Sequence, residues 1–271
     1  PALPSNLFSS DNLLQDYLET FLPAEVLNEI TPDLNTFGER VSSEVTAMAK
    51  DAETHLPEHI PFDEWGKRID HIRVARGWHE LDRISAEEGL ISLAYSREYG
   101  EHSRLYQFAK NFLFCPSSAV YSCPLAMTDG AAKLIESFGS DELKAHALPH
   151  LLSRDPNEFW TSGQWMTEKS GGSDVARSET VARMEDGQYR LFGMKWFTSA
   201  VTAPMAMTLA RIVDQNGQTI DGNRGLSLFY LEKNKANGDY NDLEILRLKD
   251  KLGTRALPTA EIKLNGSHAQ L

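Results

Sequence analysis

Basic side chains and cysteine are the two things this chain has little of. Lys and Arg number 27 against 39 Asp and Glu, a formal net charge of −12. Gripping nucleic acid takes clustered cations that neutralise phosphates, so this balance argues against a nucleic-acid partner for the segment. A phosphorylated small molecule stays admissible, because a few local donors suffice for it. Cys115 and Cys123 are the only cysteines. They form no Cys-x-x-Cys pair and no disulfide framework, and they read as two semi-buried thiols of a reducing, intracellular compartment. The eight histidines read as scattered, without a His-x-x-x-His or His-Glu-x-x-His ligand pair, so no metal site is expected. No apolar run approaches the ~20 residues that cross a bilayer, and no membrane span is expected. The start, Pro1-Ala2-Leu3-Pro4, lacks a basic stretch leading into an apolar core and is no uncleaved secretory signal. A first residue other than Met leaves a removed leader or a trimmed chain open.

What remains is an ordinary globular composition, 41% hydrophobic and 24% charged, in a chain of 271 residues that has room for two domains. Two grammars divide it. Residues 1–158 read as a helical domain. Asp11 stands before Leu13, Leu14, Tyr17, Leu18 and Phe21, a helix-period stripe that stops ahead of Pro23. Phe37, Val41, Val45 and Met48 repeat that spacing until Pro57 and Pro61 break it. Ile84 to Phe114 reads as one long helix, with Leu90, Leu93, Leu105, Phe108 and Phe112 on its apolar faces. Ala126 to Phe138 makes a further helix ending at Gly139, and Ser140 opens the next. Residues 159–271 read as a mostly antiparallel β domain. Within it, two alternating runs flank Asp186-Gly187, a two-residue hairpin signal. Met205 to Val213, Leu226 to Glu232, Leu243 to Leu248 and Ala260 to Leu264 follow as strands between Asn- and Gly-rich turns. The fold class is therefore α+β. An ending at Leu271 without a closing helix reads as that of a fragment.

Most of the chemistry sits where the two halves meet, in Trp165-Met166-Thr167-Glu168-Lys169-Ser170-Gly171-Gly172-Ser173-Asp174. Paired glycines let a backbone approach a ligand closely and tolerate positive φ. Successive N–H groups in such a turn converge on an anion, and Thr167 and Ser173 add hydroxyls. The segment thus reads either as a cradle for a phosphorylated cofactor or as a plain Ser/Gly turn. It is no P-loop, since no Gly-Lys-Ser/Thr ends it.

Together with later segments this one resembles the acyl-CoA dehydrogenases. Those segments are Gly187 through Gly193-Met194-Lys195-Trp196-Phe197-Thr198, then Leu226-Ser227-Leu228-Phe229, then Lys249-Asp250-Lys251-Leu252-Gly253-Thr254-Arg255. The likeness covers residues 75–266 well and residues 1–70, a less family-like extension, poorly. Trp78-His79-Glu80-Leu81 and Cys123 to Thr128 are similar to the AidB-type branch. Trp165 and Arg177 depart from the common signature, where small residues are usual, which bears on the shape of the substrate pocket.

The resemblance implies an all-α domain before a β-barrel-like middle domain, FAD as cofactor, and α,β-dehydrogenation of a medium- or long-chain acyl-CoA. It implies that Met166 and Thr167 lie against the flavin ring. Gly172 and Ser173 would lie by the FAD pyrophosphate, with Ser173 also touching the entering acyl-CoA. An ungapped alignment of the second segment puts Phe197, Thr198 and Ser199 at the flavin, Phe197 stacking and Ser199 offering its hydroxyl to N5, with Trp196 turned away into packing. A one-residue gap would align Trp196 instead and reverse the faces of a regular strand. The family's catalytic base is a glutamate in a C-terminal helical bundle to which nothing here corresponds, so no catalytic residue is expected in this chain. Glu168 reads as part of the turn, His79, Glu80 and Asp82 as polar surface or interdomain contacts, and Phe112, Phe114, Met127 and Leu134 as ordinary core. Two other functions stay open: a non-catalytic flavoprotein that sequesters fatty acyl groups, and an AidB-like nucleic-acid-associated flavoprotein whose basic surface lies elsewhere. The family commonly forms homodimers or homotetramers. The resemblance leaves open the electron acceptor, whether an electron-transfer partner or oxygen, and the compartment, whether cytoplasm, mitochondrion or peroxisome.

Overall fold

Asp11 caps the first helix as its position suggests, its carboxylate accepting from the Leu14 N–H at 2.8 Å. The computed structural model describes residues 4–271 and divides into two units, Pro1–Leu56 with Val74–Phe159, and Pro57–Arg73 with Trp160–Leu271. The first unit is helical. It runs through α1 (Asn12–Phe21), α2 (Ala24–Arg40), a π-helical turn at Val41–Val45 and α3 (Thr46–Thr54). After residue 73 come α4 (Arg76–Glu87), α5 (Ser92–Ser96), α6 (Ser103–Phe114), α7 (Ser122–Phe138) and α8 (Asp141–Leu151).

The single long helix expected over Ile84 to Phe114 is three helices. Gly89, Arg97 and Gly100 have φ of 64°, 54° and 57°, and a left-handed residue cannot continue a right-handed helix. The faces differ from expectation as well. Phe114 is fully buried, but Phe108 and Phe112 are about half exposed, at 54% and 51%. The inward face of α6 instead carries Tyr106, Lys110 and Leu113. Lys110 is 1% exposed, bonded to Asp33 at 2.8 Å and Glu88 at 2.7 Å, with its ammonium 4.7 Å from the Phe37 ring centroid. Paired twice, this cation can stay in the interior.

Residues 57–73, placed by sequence inside the helical domain, are a hairpin of β1 (Glu58–Phe62) and β2 (Arg68–Arg73) that belongs to the second unit. Asp70 is the latch. Its carboxylate accepts from His59 at 2.9 Å, Arg68 at 2.8 Å and the Ile245 N–H at 3.1 Å. Its carbonyl accepts from the Tyr240 hydroxyl, and Arg68 donates to the Ile245 carbonyl. These bonds link residues 170 to 177 positions apart, beyond the reach of local patterning.

The rest of the second unit is β3 (Ser162–Trp165), β4 (Val181–Glu185), β5 (Gln188–Ser199), β6 (Met205–Ile212), β7 (Leu226–Glu232), β8 (Leu243–Leu248) and β9 (Thr259–Ala269). They form one sheet in the order β3-β6-β4-β5-β9-β8, with β7 on the other side of β6. Tyr230 and Gln270 exchange backbone hydrogen bonds at 2.8 and 2.9 Å, which ties β7 to the end of β9 and curls the sheet towards a barrel. The sheet is mixed: β3 and β4 both run parallel to β6, and the remaining pairings are antiparallel. Asp186 and Gly187, with φ of 50° and 77°, make the tight β4–β5 turn that the sequence announces.

Candidate functional site

The turn after β3 closes on itself. Glu168 and Gly171 exchange backbone hydrogen bonds at 3.0 and 3.2 Å. Glycine is needed here for room, since a Cβ on Gly171 would fall 2.3 Å from the Asp174 carbonyl oxygen; neither Gly171 nor Gly172 has positive φ. Asp174 then accepts from the Ala176 N–H at 3.1 Å and opens a short 3₁₀ turn over Val175–Arg177. Gly172, Ser173 and Asp174 are exposed.

Glu168 anchors this turn from below. Its carboxylate accepts from the Glu179 N–H at 2.6 Å, the Thr180 N–H at 3.2 Å, the Thr180 hydroxyl at 2.6 Å and Lys195 Nζ at 2.7 Å. Lys195, fully buried, also donates to the Leu209 carbonyl at 2.8 Å. Burial alone would raise the Glu168 carboxyl; the Lys195 cation and the other donors together hold it below the ordinary carboxylate range. Three of these donors converge on Oε1 and the fourth takes Oε2, and the carboxyl is buried, so Glu168 serves the turn rather than a substrate proton. Gly193 makes the arrangement possible, because a Cβ there would lie 2.4 Å from the Thr180 hydroxyl.

Both sequence segments meet at this point. The Trp196 N–H donates to the Thr167 carbonyl at 2.9 Å, and Trp165 Nε1 donates to the Ser199 carbonyl at 3.2 Å. Met166 and Thr167, half-buried, are thereby brought beside Ser199, also half-buried, and Phe197, 43% exposed. Thr198 differs. It is fully buried and its hydroxyl donates to the Ala260 carbonyl at 2.8 Å, so its side chain faces the interior.

The alignment question has a structural counterpart in β5. Lys195 pairs with Ile262 and Thr198 with Ala260, so Trp196 and Phe197 together oppose one residue, Glu261. This is a two-against-one irregularity of the bulge kind. Lys195 and Thr198, three apart, are both fully buried while the two residues between them are not. Strict alternation, on which the face-reversal argument rests, does not hold here. Trp196 lies under Lys249, whose Nζ is 3.1 Å from the ring centroid, with Lys169 and Arg247 at 5.8 and 6.0 Å.

Other expected features settle differently. Trp165 is fully buried, and Gly163 is the small residue that admits it, since a Cβ there would lie 2.3 Å from its Nε1. Trp165 therefore packs the strand rather than lining an open pocket. Asp82 is only partly exposed: it accepts from the buried Tyr121 hydroxyl, and desolvation pushes both the carboxyl and the phenol up. Cys115 is exposed rather than semi-buried, and Cys123 is partly buried. Histidines four apart do occur at His55/His59 and His146/His150, but no group of three or more His, Cys, Asp or Glu is placed to hold a metal among the described residues. No helix among the described residues is long and apolar enough to cross a membrane. Lys195, Thr180 and Arg211, which shape the turn from within, carry no signal that sequence reasoning used, although a lysine inside a hydrophobic strand pattern is the kind of conflict that marks one.

The β unit is where the class shows itself. Residues 163–267 match the acyl-CoA dehydrogenase middle domain, and residues 1–157 match the adaptive response protein AidB N-terminal domain. The chain belongs to the acyl-CoA dehydrogenase family, on its AidB branch. It is 46% identical over 271 residues to acyl-CoA dehydrogenase family member 11 of Caenorhabditis elegans, covering 98% of this chain and 44% of that protein. The solved apo form of Bd2924 superposes with a TM-score of 0.95 at 50% identity, over 100% of this chain and 54% of that one. Caenorhabditis elegans ACDH-11 in complex with C11-CoA superposes with a TM-score of 0.96 at 46% identity, over 100% of this chain and 46% of that one. The chain spans about half the length of the curated relatives it matches.

Proposed function

We propose that this chain provides the N-terminal and middle domains of an FAD flavoprotein that takes a medium- or long-chain acyl-CoA and dehydrogenates it between the α and β carbons. The observation that carries this reading is the junction of Met166 and Thr167 with Phe197 and Ser199, beside the exposed Gly172–Ser173 turn. The residues present suit the cofactor: apolar Met166 and Phe197 for a flat ring, the Thr167 and Ser199 hydroxyls for its polar edge, and free turn backbone for a pyrophosphate. When bound, FAD would supply the acceptor for the β-hydride. Ser173, with Gly172, would lie by the FAD pyrophosphate and the entering acyl-CoA, while Glu168 and Lys195 keep the turn in shape. The C11-CoA complex of the Caenorhabditis elegans relative supports an acyl-CoA as the ligand.

Anaerobic mixing of the full-length flavoprotein with an acyl-CoA series tests this. Bleaching of the oxidised flavin band is expected; tight binding without bleaching would turn the reading to sequestration, and salt-sensitive DNA binding with neither would turn it to a nucleic-acid role. Ser173→Arg, at an exposed position that the fold does not need, should weaken FAD retention tenfold or more by bringing bulk into the cradle. A fully yellow, normally folded variant would remove Ser173 from the site.

A further inference from the structure

Arg211, on β6, is 6% exposed, and its four hydrogen-bond acceptors are all main-chain carbonyls. Nε donates to Ser178 at 2.8 Å, Nη2 to Ala176, and Nη1 to Ile220 at 2.5 Å and Gly222 at 2.9 Å. Its own N–H donates to the Thr180 carbonyl at 2.8 Å. One guanidinium therefore joins two loops: the segment 176–180 that descends from the Gly-Gly-Ser turn, and the loop 220–222 before β7. Space is tight around it. A Cβ on Gly225 would lie 1.7 Å from the Ile220 carbonyl oxygen and 2.7 Å from Arg211 Nη1.

The peptide between Ser178 and Glu179 shows what the clamp does. Its carbonyl accepts from Arg211 and its N–H donates to Glu168. In a trans peptide these two groups point in opposite directions, so this unit is held between a buried cation and a buried anion with its dipole aligned to both. Glu168 in turn is held by Lys195. The leg of the turn that leads in, Glu168 to Gly171, is fixed by its own backbone pair; the leg that leads out, 176 to 180, is held on its carbonyl side by Arg211 and at 179–180 by Glu168. The planar fork of arginine can reach four carbonyls at once, which a lysine ammonium cannot reproduce.

We infer that Arg211 is a positioning residue: it sets the outgoing leg of the Gly-Gly-Ser turn by tying it to the 220–222 loop, so that the turn presents a fixed backbone to the anionic part of the ligand. This rests on the flavin and acyl-CoA reading for the identity of that ligand, but the coupling of the loops stands on the geometry alone.

Arg211→Met and Arg211→Lys in the full-length protein test it, read by FAD dissociation and by site-resolved amide hydrogen exchange. In Arg211→Met, FAD should dissociate at least tenfold faster, and amides at 175–179 and 221–225 should exchange at least tenfold faster, with β5 and β9 unchanged. Arg211→Lys, keeping the charge but not the fork, should fall between, and it carries the comparison if the methionine variant does not fold. Unchanged FAD dissociation in the variants would overturn the positioning role, and so would exchange raised evenly across the whole sheet, which would mark a general contribution to folding. Wild-type protein that binds no FAD would defeat the functional reading; locally raised exchange in the variants would still support the coupling of the two loops.

Discussion

Lys195→Met should destabilise the β unit by about 3–5 kcal/mol, the usual effect of removing one partner from a buried ion pair. Methionine fills nearly the same volume, so the loss is electrostatic rather than a cavity. What stays behind is the Glu168 carboxylate, 5% exposed, with the Glu179 and Thr180 donors but no counter-ion. Glu168→Gln leaves the opposite fault, a fully buried ammonium without a counter-ion, held by neutral acceptors such as the Leu209 carbonyl. The double variant removes both charges together and should be more stable than the sum of the single effects by about 2–3 kcal/mol. Urea unfolding of the four proteins reads the cycle; strict additivity would show that the two side chains do not act as a pair. The pH dependence has a definite sign. A carboxyl held below its ordinary range when folded stabilises fully above the unfolded pKa and loses that contribution as pH falls through the depressed value. Glu168→Gln should therefore flatten the acid limb of the stability profile.

Local signals in the sequence were good guides wherever the structure answers to local physics. Asp11 and Ser140 cap helices, with N–H groups of Leu14 and Leu143 donating to their side chains, and Asp186-Gly187 turns the hairpin. The two segments that the resemblance singles out do meet, through the Trp196 N–H on the Thr167 carbonyl and the Trp165 indole on the Ser199 carbonyl. Two failures are local, the left-handed residues Gly89, Arg97 and Gly100 that split one expected helix into three and the irregularity in β5; the others come from partners distant in the chain. Nothing near Asp70 says that residues 57–73 latch onto Ile245 and Tyr240. Nothing near β6 says that two of its neighbours run parallel to it. The irregularity at Trp196–Phe197 defeats a period-two reading from within. Apolar spacing in α6 is that of a helix, but the face it marks is not the buried one, because a buried lysine with two carboxylate partners takes the interior ahead of Phe108 and Phe112. Buried charges such as Lys110, Lys195 and Arg211 are settled by hydrogen-bond geometry, which composition does not contain.

Lys233 is a charge of the opposite kind, and its removal should stabilise the fold. It follows β7, with its N–H bonded to the Pro204 carbonyl and its carbonyl to the Asn241 N–H, each at 2.8 Å. Its Nζ donates to the Thr202 carbonyl at 2.9 Å and lies 6.0 Å from the Tyr240 ring centroid. Desolvation, without an opposing carboxylate, pushes its pKa down to about 8. Below that value the ammonium is charged in both states, and the folded state holds it away from water at full cost. Between about 8 and the ordinary lysine value of about 10.4, the unfolded chain binds more protons, so stability of the wild type rises with pH. A shift of this size corresponds to about 3 kcal/mol; allowing for the lost hydrogen bond and the ring contact, Lys233→Met should gain about 2 kcal/mol at pH 7. The gain should shrink steadily above pH 8 and nearly vanish by about pH 10, where both folded proteins carry a neutral group at this position. Urea unfolding of the pair across that range decides the matter: a methionine variant that is weaker at pH 7, or a difference that ignores pH, would mean that Lys233 is solvated well enough to keep an ordinary proton affinity.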